Sequence, residues 1–401
     1  MVLGNLSIAP MSEPSATPPR SVSDCYAISD LRALARRRLP RAVFDFYDGG
    51  AEDETTLNEN RSAFARWRFA PHVLVDVANT VTRGAFLGAA AGMPAAIGPT
   101  GAAGFGHRGA DLALARAAAN IGIPYTLSSS ATTAIETVAD KAPGRLWFQA
   151  YVLRNRDFFW GLIERACAAD YEALVITVDL AVGGKRERDM RNHFSIPFRF
   201  TPRNVIDFAS RPRWALGMAL RGMPVMENLR GLEASATTAS AIASSVGRGY
   251  DASFDWARLA EVRDRWPRKL IVKGVSRADD AQRLAAMGVD AIVVSNHGGR
   301  QLDGNIATLD ALPEVLSGVA GRVPVLLDGG IRRGADIAKA LALGAHGVLL
   351  GRATLFGAVA GGDPGAQRAI HILQDELLRT LRLCGVGHPG ALTPDLLRRR
   401  D

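Results

Sequence analysis

Cysteine is scarce in this chain. Cys25, Cys167 and Cys384 are odd in number, far apart and without any Cys-x-x-Cys spacing, which argues against a disulfide framework and against a zinc site. Histidine offers no metal centre either: His72, His107, His193, His346, His371 and His388 are scattered without ligand spacing, and no metal is expected. No apolar run reaches the length of a membrane span. Residues 1–24 are rich in Pro and Ser, lack the hydrophobic stretch of a secretory leader, and are expected to be a disordered lead in which Met11 is an alternative start. These absences point to a reducing, cytoplasmic setting.

What is present is a sizeable core and an excess of positive charge. Hydrophobic residues make up 48% of the 401 positions, and 48 Lys and Arg against 40 Asp and Glu leave a net charge of +8. Such a balance suits nucleic acid, an anionic membrane surface or an acidic substrate. A nucleic-acid binder needs clustered cations interleaved with exposed aromatics; only residues 194–231 come near that pattern, so no nucleic-acid partner is expected.

From Ile28 the string "ISDLRALARRRLPRAVFDFYDGG" repeats apolar residues at helical spacing behind a Ser29 or Asp30 cap and stops at Gly49 and Gly50. The rhythm then changes. "MPAAIGP", "IPYTLSSS", "LWFQAY", "ALVITVD", "KLIVKG", "AIVVSNHGG", "VPVLLDGG" and "GVLLGR" are short, nearly continuous apolar runs separated by helical stretches, the signature of parallel strands buried on both faces. Eight β/α units predict a closed (β/α)8 TIM barrel over residues 93–385, with an N-terminal helical extension and a long insertion after the fourth strand, residues 194–250.

Chemistry in such a barrel gathers where strands end. Those ends read Pro99-Thr100-Gly101, Ser128 to Ser130, Gln149 with Tyr151, Thr177 with Asp179, Lys273, Ser295 to Arg300, Asp328-Gly329-Gly330 with Arg332, and Gly351-Arg352. Ser, Asp and Gly are ordinary turn formers, but Gln149, Lys273 and His297 terminate apolar strands. "LDGGIRRG" and "LLGR" supply glycines and two arginines after strands seven and eight, where barrels commonly hold phosphate. A single phosphate beside amide and hydroxyl groups and one lysine suits FMN. A lysine Schiff base would leave "SNHGGRQLDG", residues 295–304, without a purpose.

The strings "SNHGGRQLDG", "LDGGIRRGADIAKALALGA", "GPTG", "WFQAYV" and "TVD" followed by "GGKRERDMRN" resemble the FMN-dependent L-2-hydroxy acid dehydrogenases and oxidases over residues 25–395. "PRWALGMALRGMP" and "DASFDW" are similar to the membrane-associated mandelate dehydrogenase branch. The resemblance implies that His297 takes a proton, from the α-carbon or from the hydroxyl with hydride transfer, and that Asp179 pairs with it. It implies that Arg186 and Arg300 grip the substrate carboxylate, that Tyr151 bonds its hydroxyl, and that Lys273 lies at the flavin. Pro99, Thr100, Gly101, Ser128, Gln149, Thr177, Ser295, Asp328, Gly330, Arg332, Gly351 and Arg352 match cofactor-contacting positions. A homotetramer is implied as well.

Three departures bear on substrate choice. Phe46 stands where many members carry a tyrosine that touches the carboxylate, and its ring cannot donate a hydrogen bond. Ser130 and Gly183 replace bulkier residues of glycolate oxidase, and Gly101 replaces the alanine usual in oxidases, so the substrate site widens. An aromatic L-2-hydroxy acid such as (S)-mandelate is therefore expected, with a quinone or another carrier as electron acceptor. The alternatives are an L-lactate dehydrogenase, an oxygen-using oxidase, or a non-catalytic membrane-associated flavin barrel; the last would have damaged His297, Arg300, Arg186, Lys273 or Asp179, and all five stand.

Residues 194–231 mix six arginines with two acids and include Trp214, Met218, Leu220 and Met223. That basic amphipathic stretch is expected to rest on the inner face of the cell membrane. The small-residue stretch that follows is expected to be a poorly ordered linker to strand five.

Overall fold

The computed structural model describes residues 19–194, 201–232 and 249–400. Most of the expected lead (residues 1–18) and of the small-residue linker (residues 233–248) lies outside the described residues.

Eight parallel strands close into a barrel: β1 (Ala95–Ile97), β2 (Tyr125–Ser128), β3 (Leu146–Tyr151), β4 (Ala173–Thr177), β5 (Lys269–Val275), β6 (Ala291–Val294), β7 (Val325–Asp328) and β8 (Gly347–Leu350). Each is one of the apolar runs read from the sequence. β2, β4, β6 and β8 are buried along their whole length, because one face fills the barrel and the other meets the helices. Closure is made by β8 pairing with β1, Leu349 opposite Ala96.

The N-terminal extension is helical, as expected, and is divided into three helices. It forms α1 (Ile28–Arg38), α2 (Arg41–Asp48) and α3 (Thr55–Ala65). Pro40 ends α1, since it lacks an N–H for the helix ladder and drives the preceding residue into an extended conformation; Leu39 has ψ 148°. The α1 cap differs from the one expected. Ala27 is the N-cap, and Asp30 reaches back from the third helical position to accept the N–H groups of Ala27 at 3.0 Å and Tyr26 at 2.8 Å.

These helices cover part of the barrel mouth. Asp303, in the loop after β6, accepts the N–H of Thr56 at 2.8 Å at the start of α3, where an anion also favours the helix dipole. Asn60 of α3 and Asn296 exchange amide bonds of 2.8 and 2.9 Å. The Tyr47 hydroxyl of α2 donates to the Ala102 carbonyl at 2.7 Å. Phe46 is thus carried to the mouth on an element fastened to the loops after β1 and β6.

Between β4 and β5 the described residues include the helices Pro202–Ala209 and Pro212–Arg221, preceded by Glu187–Arg191 and followed by Trp256–Arg265. Trp214, expected to face a membrane, is instead buried, packed against Phe208 at 5.1 Å, with its indole N–H donating to the Phe105 carbonyl at 2.8 Å. Indole surface favours burial once its N–H finds an acceptor. Met218 and Met223 are half-buried, whereas Val205, Ile206, Leu216 and Leu220 are exposed. Among the described residues no helix is long and apolar enough to cross a membrane.

Candidate active site

The residues singled out from the sequence line one cavity of about 520 Å³ at the C-terminal mouth, with three exceptions. Ser128, Asp179 and Ser295 stand one layer behind and bond to residues of the wall.

The loop after β6 is the centre of the arrangement. His297, Gly298 and Gly299 all take positive φ, at 58°, 64° and 72°. That run of left-handed residues turns the chain sharply enough to present His297 and Arg300 to the same space, and only glycine adopts such angles without strain. Gly299 is also needed for contact: a Cβ there would lie 2.5 Å from the Leu57 nitrogen of α3. The Ser295 hydroxyl supports the turn by accepting the His297 N–H at 3.1 Å.

His297 Nδ1 donates to Asp179 Oδ1 at 2.7 Å, and the Tyr151 hydroxyl lies 3.2 Å from Nε2. With the Nδ1 proton committed to a carboxylate, Nε2 is the nitrogen left to accept a proton from the cavity. Asp179 approaches β5 where that strand bulges. Gly274, at φ 111°, leaves room for it, since a Cβ would sit 2.7 Å from the Asp179 Cβ. Burial pushes the Asp179 carboxyl up, but its electrostatic and hydrogen-bond interactions with the His297 ring and the Lys273 ammonium outweigh this and hold the group below the usual range.

Lys273 is buried and donates to Ser295 Oγ at 2.8 Å, with Asp328 Oδ2 2.9 Å away. Desolvation favours its neutral form, yet Asp328 and Asp179 prevail and raise its pKa. It stays an ammonium, which argues against a nucleophilic amine.

Two arginines border the space in front of His297. Arg300 spends Nη1 on the carbonyls of Phe46 at 2.7 Å and Gly49 at 2.9 Å. Arg186 spends Nε on Asp189 at 2.7 Å. Phe46 lies between them, its ring 5.2 Å from the Arg300 guanidinium carbon and 6.0 Å from that of Arg186. Desolvation, then repulsion from Arg186 and Arg352, pushes Arg300 down to about 9. Two cations brought together in this way, Arg300 out of water and Arg186 half-buried, favour an anion between them.

At the other end of the cavity, Arg332 is likewise pushed down to about 10 by desolvation and then by Arg61. Arg352, expected as a charge partner for phosphate, lines the same end of the cavity and also acts as a strap: Nε donates to Tyr47 at 2.9 Å, Nη2 to Gly49 at 2.7 Å and Nη1 to Gly298 at 2.8 Å, all backbone carbonyls. The helix Arg352–Leu383 starts here, and its N-terminus adds unsatisfied N–H groups at the wall.

The wall also fits the rest of the expected flavin. Thr100 Oγ1, Gln149 Nε2 and Thr177 Oγ1 are buried and have no hydrogen-bond partner among the described residues. Gln149 Oε1 accepts the Ser128 hydroxyl at 3.0 Å, which leaves its amide N–H groups as the part facing the cavity. Unpaired buried polar atoms are costly, and three around one cavity match the polar edge of an isoalloxazine ring.

Several lining residues were not anticipated. Tyr250, Leu180, Met190, Phe194 and Met226 complete an apolar side of the cavity. Tyr250 gave no motif to read, because its place depends on an isolated antiparallel bridge to Leu153 just beyond β3.

The profile of the FMN-dependent dehydrogenase family matches residues 35–399. (S)-Mandelate dehydrogenase of Pseudomonas putida is 44% identical over 373 residues, covering 93% of this chain and 94% of that protein. A putative L-lactate dehydrogenase of Mycobacterium tuberculosis is 42% identical over 379 residues, covering 94% and 90%. The crystal structure of the monotopic membrane protein (S)-mandelate dehydrogenase matches with a TM-score of 0.90 at 42% identity, covering 94% of this chain and all of that one.

The unpaired Gln149 amide makes a direct prediction about cofactor affinity. Gln149→Leu keeps the volume and deletes the donors, and is expected to weaken FMN binding about tenfold, the worth of one hydrogen bond, read by flavin fluorescence. An unchanged Kd would mean that the amide does not meet the cofactor.

Proposed function

The chain belongs to the FMN-dependent dehydrogenase family, and on that footing we propose that it oxidises an aromatic L-2-hydroxy acid, (S)-mandelate or a close analogue, to the 2-keto acid and passes the electrons to a membrane quinone. The observation that carries this reading is the desolvated Arg300, with the half-buried Arg186 beside it, lining the same cavity as the His297 imidazole that Asp179 holds through Nδ1. A carboxylate received by both guanidinium groups would place the α-carbon and its hydroxyl against Nε2.

In this reading Arg300 and Arg186 bind and orient the substrate, and Tyr151 holds its hydroxyl. His297 takes the proton released as the α-carbon is oxidised. Asp179, kept ionised below the usual carboxylate range, favours the imidazolium that results. Lys273 keeps a fixed positive charge at the inner end of the cavity. FMN, when bound, supplies the two-electron acceptor.

Support for a large apolar side chain comes from what surrounds the arginines. Leu180, Phe194, Met226 and Phe46 are apolar, while Ser130 and Gly183 take up little space. Burial of a phenyl ring there is favourable, and the lack of a donor at Phe46 matters less to a substrate anchored by apolar contact. Anaerobic mixing of the FMN-loaded protein with (S)-mandelate, L-lactate or glycolate is expected to bleach the flavin at least about tenfold faster with mandelate, one or two apolar groups' worth of selectivity. Faster bleaching by lactate or glycolate would overturn the aromatic assignment, and no bleaching by any would overturn hydroxy acid oxidation.

The membrane part of the reading is supported by the helices Pro202–Ala209 and Pro212–Arg221. Val205, Ile206, Leu216 and Leu220 are exposed on them, and Arg211, Arg213 and Arg221 lie in the same segment. Apolar side chains rimmed by cations suit the interface of an anionic bilayer. The protein is expected to sediment with vesicles containing phosphatidylglycerol, and Ile206→Glu with Leu220→Glu to abolish this. Equal sedimentation of the variant would place the contact elsewhere.

A further inference from the structure

Phe46 leaves the carboxylate site one donor short of the pattern its family resemblance implies, and the structure holds another hydroxyl close by. Tyr250 lines the same cavity from the chain returning to β5. Its backbone is fixed there: Arg154 N–H donates to the Gly249 carbonyl at 2.8 Å, Asp251 N–H to Val152 at 3.0 Å, and Arg154 Nε to the Tyr250 carbonyl at 3.0 Å. The ring meets Tyr151 edge-on, with centroids 5.3 Å apart at 60°. Tyr151 in turn touches His297.

The Tyr250 side chain is desolvated, which raises its pKa well above the ordinary phenol value, with Tyr151 raising it further and Arg186 acting in the opposite sense. The phenol is therefore protonated and lies within the field of Arg186. No hydrogen bond from its hydroxyl is found among the described residues. A protonated tyrosine held rigidly at a cavity wall, with its hydroxyl unengaged beside a carboxylate-seeking arginine, is a donor waiting for an acceptor.

We infer that Tyr250 is a substrate-binding residue whose hydroxyl donates to the carboxylate of the bound acid, supplying the hydrogen bond that Phe46 cannot. The inference rests on the carboxylate reading given under Proposed function. It assigns part of the substrate grip to the chain that closes the β4–β5 insertion, so the carboxylate is held from three sides: the loop after β4 by Arg186, the loop after β6 by Arg300, and the end of the insertion by Tyr250.

The test is a titration of the FMN-loaded, full-length protein with phenylacetate, a carboxylate without the hydroxyl needed for turnover, followed through the flavin absorbance. Phenylacetamide serves as the neutral control. Tyr250→Phe is expected to raise the phenylacetate Kd about tenfold, as for one hydrogen bond to a charged group, and to leave the phenylacetamide Kd within about twofold. Adding Phe46→Tyr to Tyr250→Phe should recover most of the lost affinity.

Wild-type protein that does not prefer phenylacetate to its amide would overturn the carboxylate reading and this inference with it. A wild-type preference that survives Tyr250→Phe undiminished would overturn the inference alone. Equal weakening of both ligands would mark Tyr250 as a packing residue, which also overturns it, and a specific loss without recovery by Phe46→Tyr would overturn the exchange of donors between the two positions.

Discussion

The mouth of this barrel is organised around guanidinium groups taken out of water and bonded to backbone carbonyls. Arg300 and Arg352 both reach the carboxyl end of α2, sharing the Gly49 carbonyl and adding those of Phe46 and Tyr47. Those carbonyls are the unsatisfied end of a helix and carry its partial negative charge. The contact is enough to place the cations but does not neutralise them, so Arg300 is pushed to about 9 and Arg352 to about 10, desolvation being the larger cause for each. Carbonyls position a charge; an anion is what satisfies it. The protein thereby keeps its cations fixed and still available for ligand oxygens.

The rest of the site follows from where those cations must be. Arg300 can reach α2 only if the loop after β6 turns back on itself, which requires the left-handed run from His297 to Gly299. The same turn delivers His297 to Asp179 and Tyr151. Behind it, Ser295 ties the loop to Lys273 and Asp328. A change in one of these bonds is felt by the others, because the base, the carboxylate grip and the cofactor end of the cavity share one short segment.

The barrel was legible because its strands are buried on both faces, so eight apolar runs stand out whatever the intervening helices do. The residues of the cavity were legible because they follow those runs directly. Other features depended on partners that no local pattern reveals. Arg352 sits at a phosphate-like position in the sequence, but whether its donors meet a phosphate or the Tyr47 and Gly49 carbonyls is decided by how α2 crosses the mouth. Trp214 reads as a membrane anchor because it stands in a basic amphipathic stretch, yet its indole finds the Phe105 carbonyl and turns inward. Tyr250 follows a run of small residues without periodicity, and only its bridge to Leu153 brings it to the site.

The central claim is that the cavity recognises a carboxylate and, through it, aligns the α-carbon with His297. The most direct measurement is the anaerobic rate of flavin reduction by (S)-mandelate against its methyl ester, which keeps the ring, the hydroxyl and the stereochemistry but carries no charge. Two charge-assisted contacts predict a loss of at least about a hundredfold in second-order rate for the ester. Reduction by the ester at a rate close to that of the acid would contradict the account, since Arg186 and Arg300 would then have no part in bringing the substrate to His297.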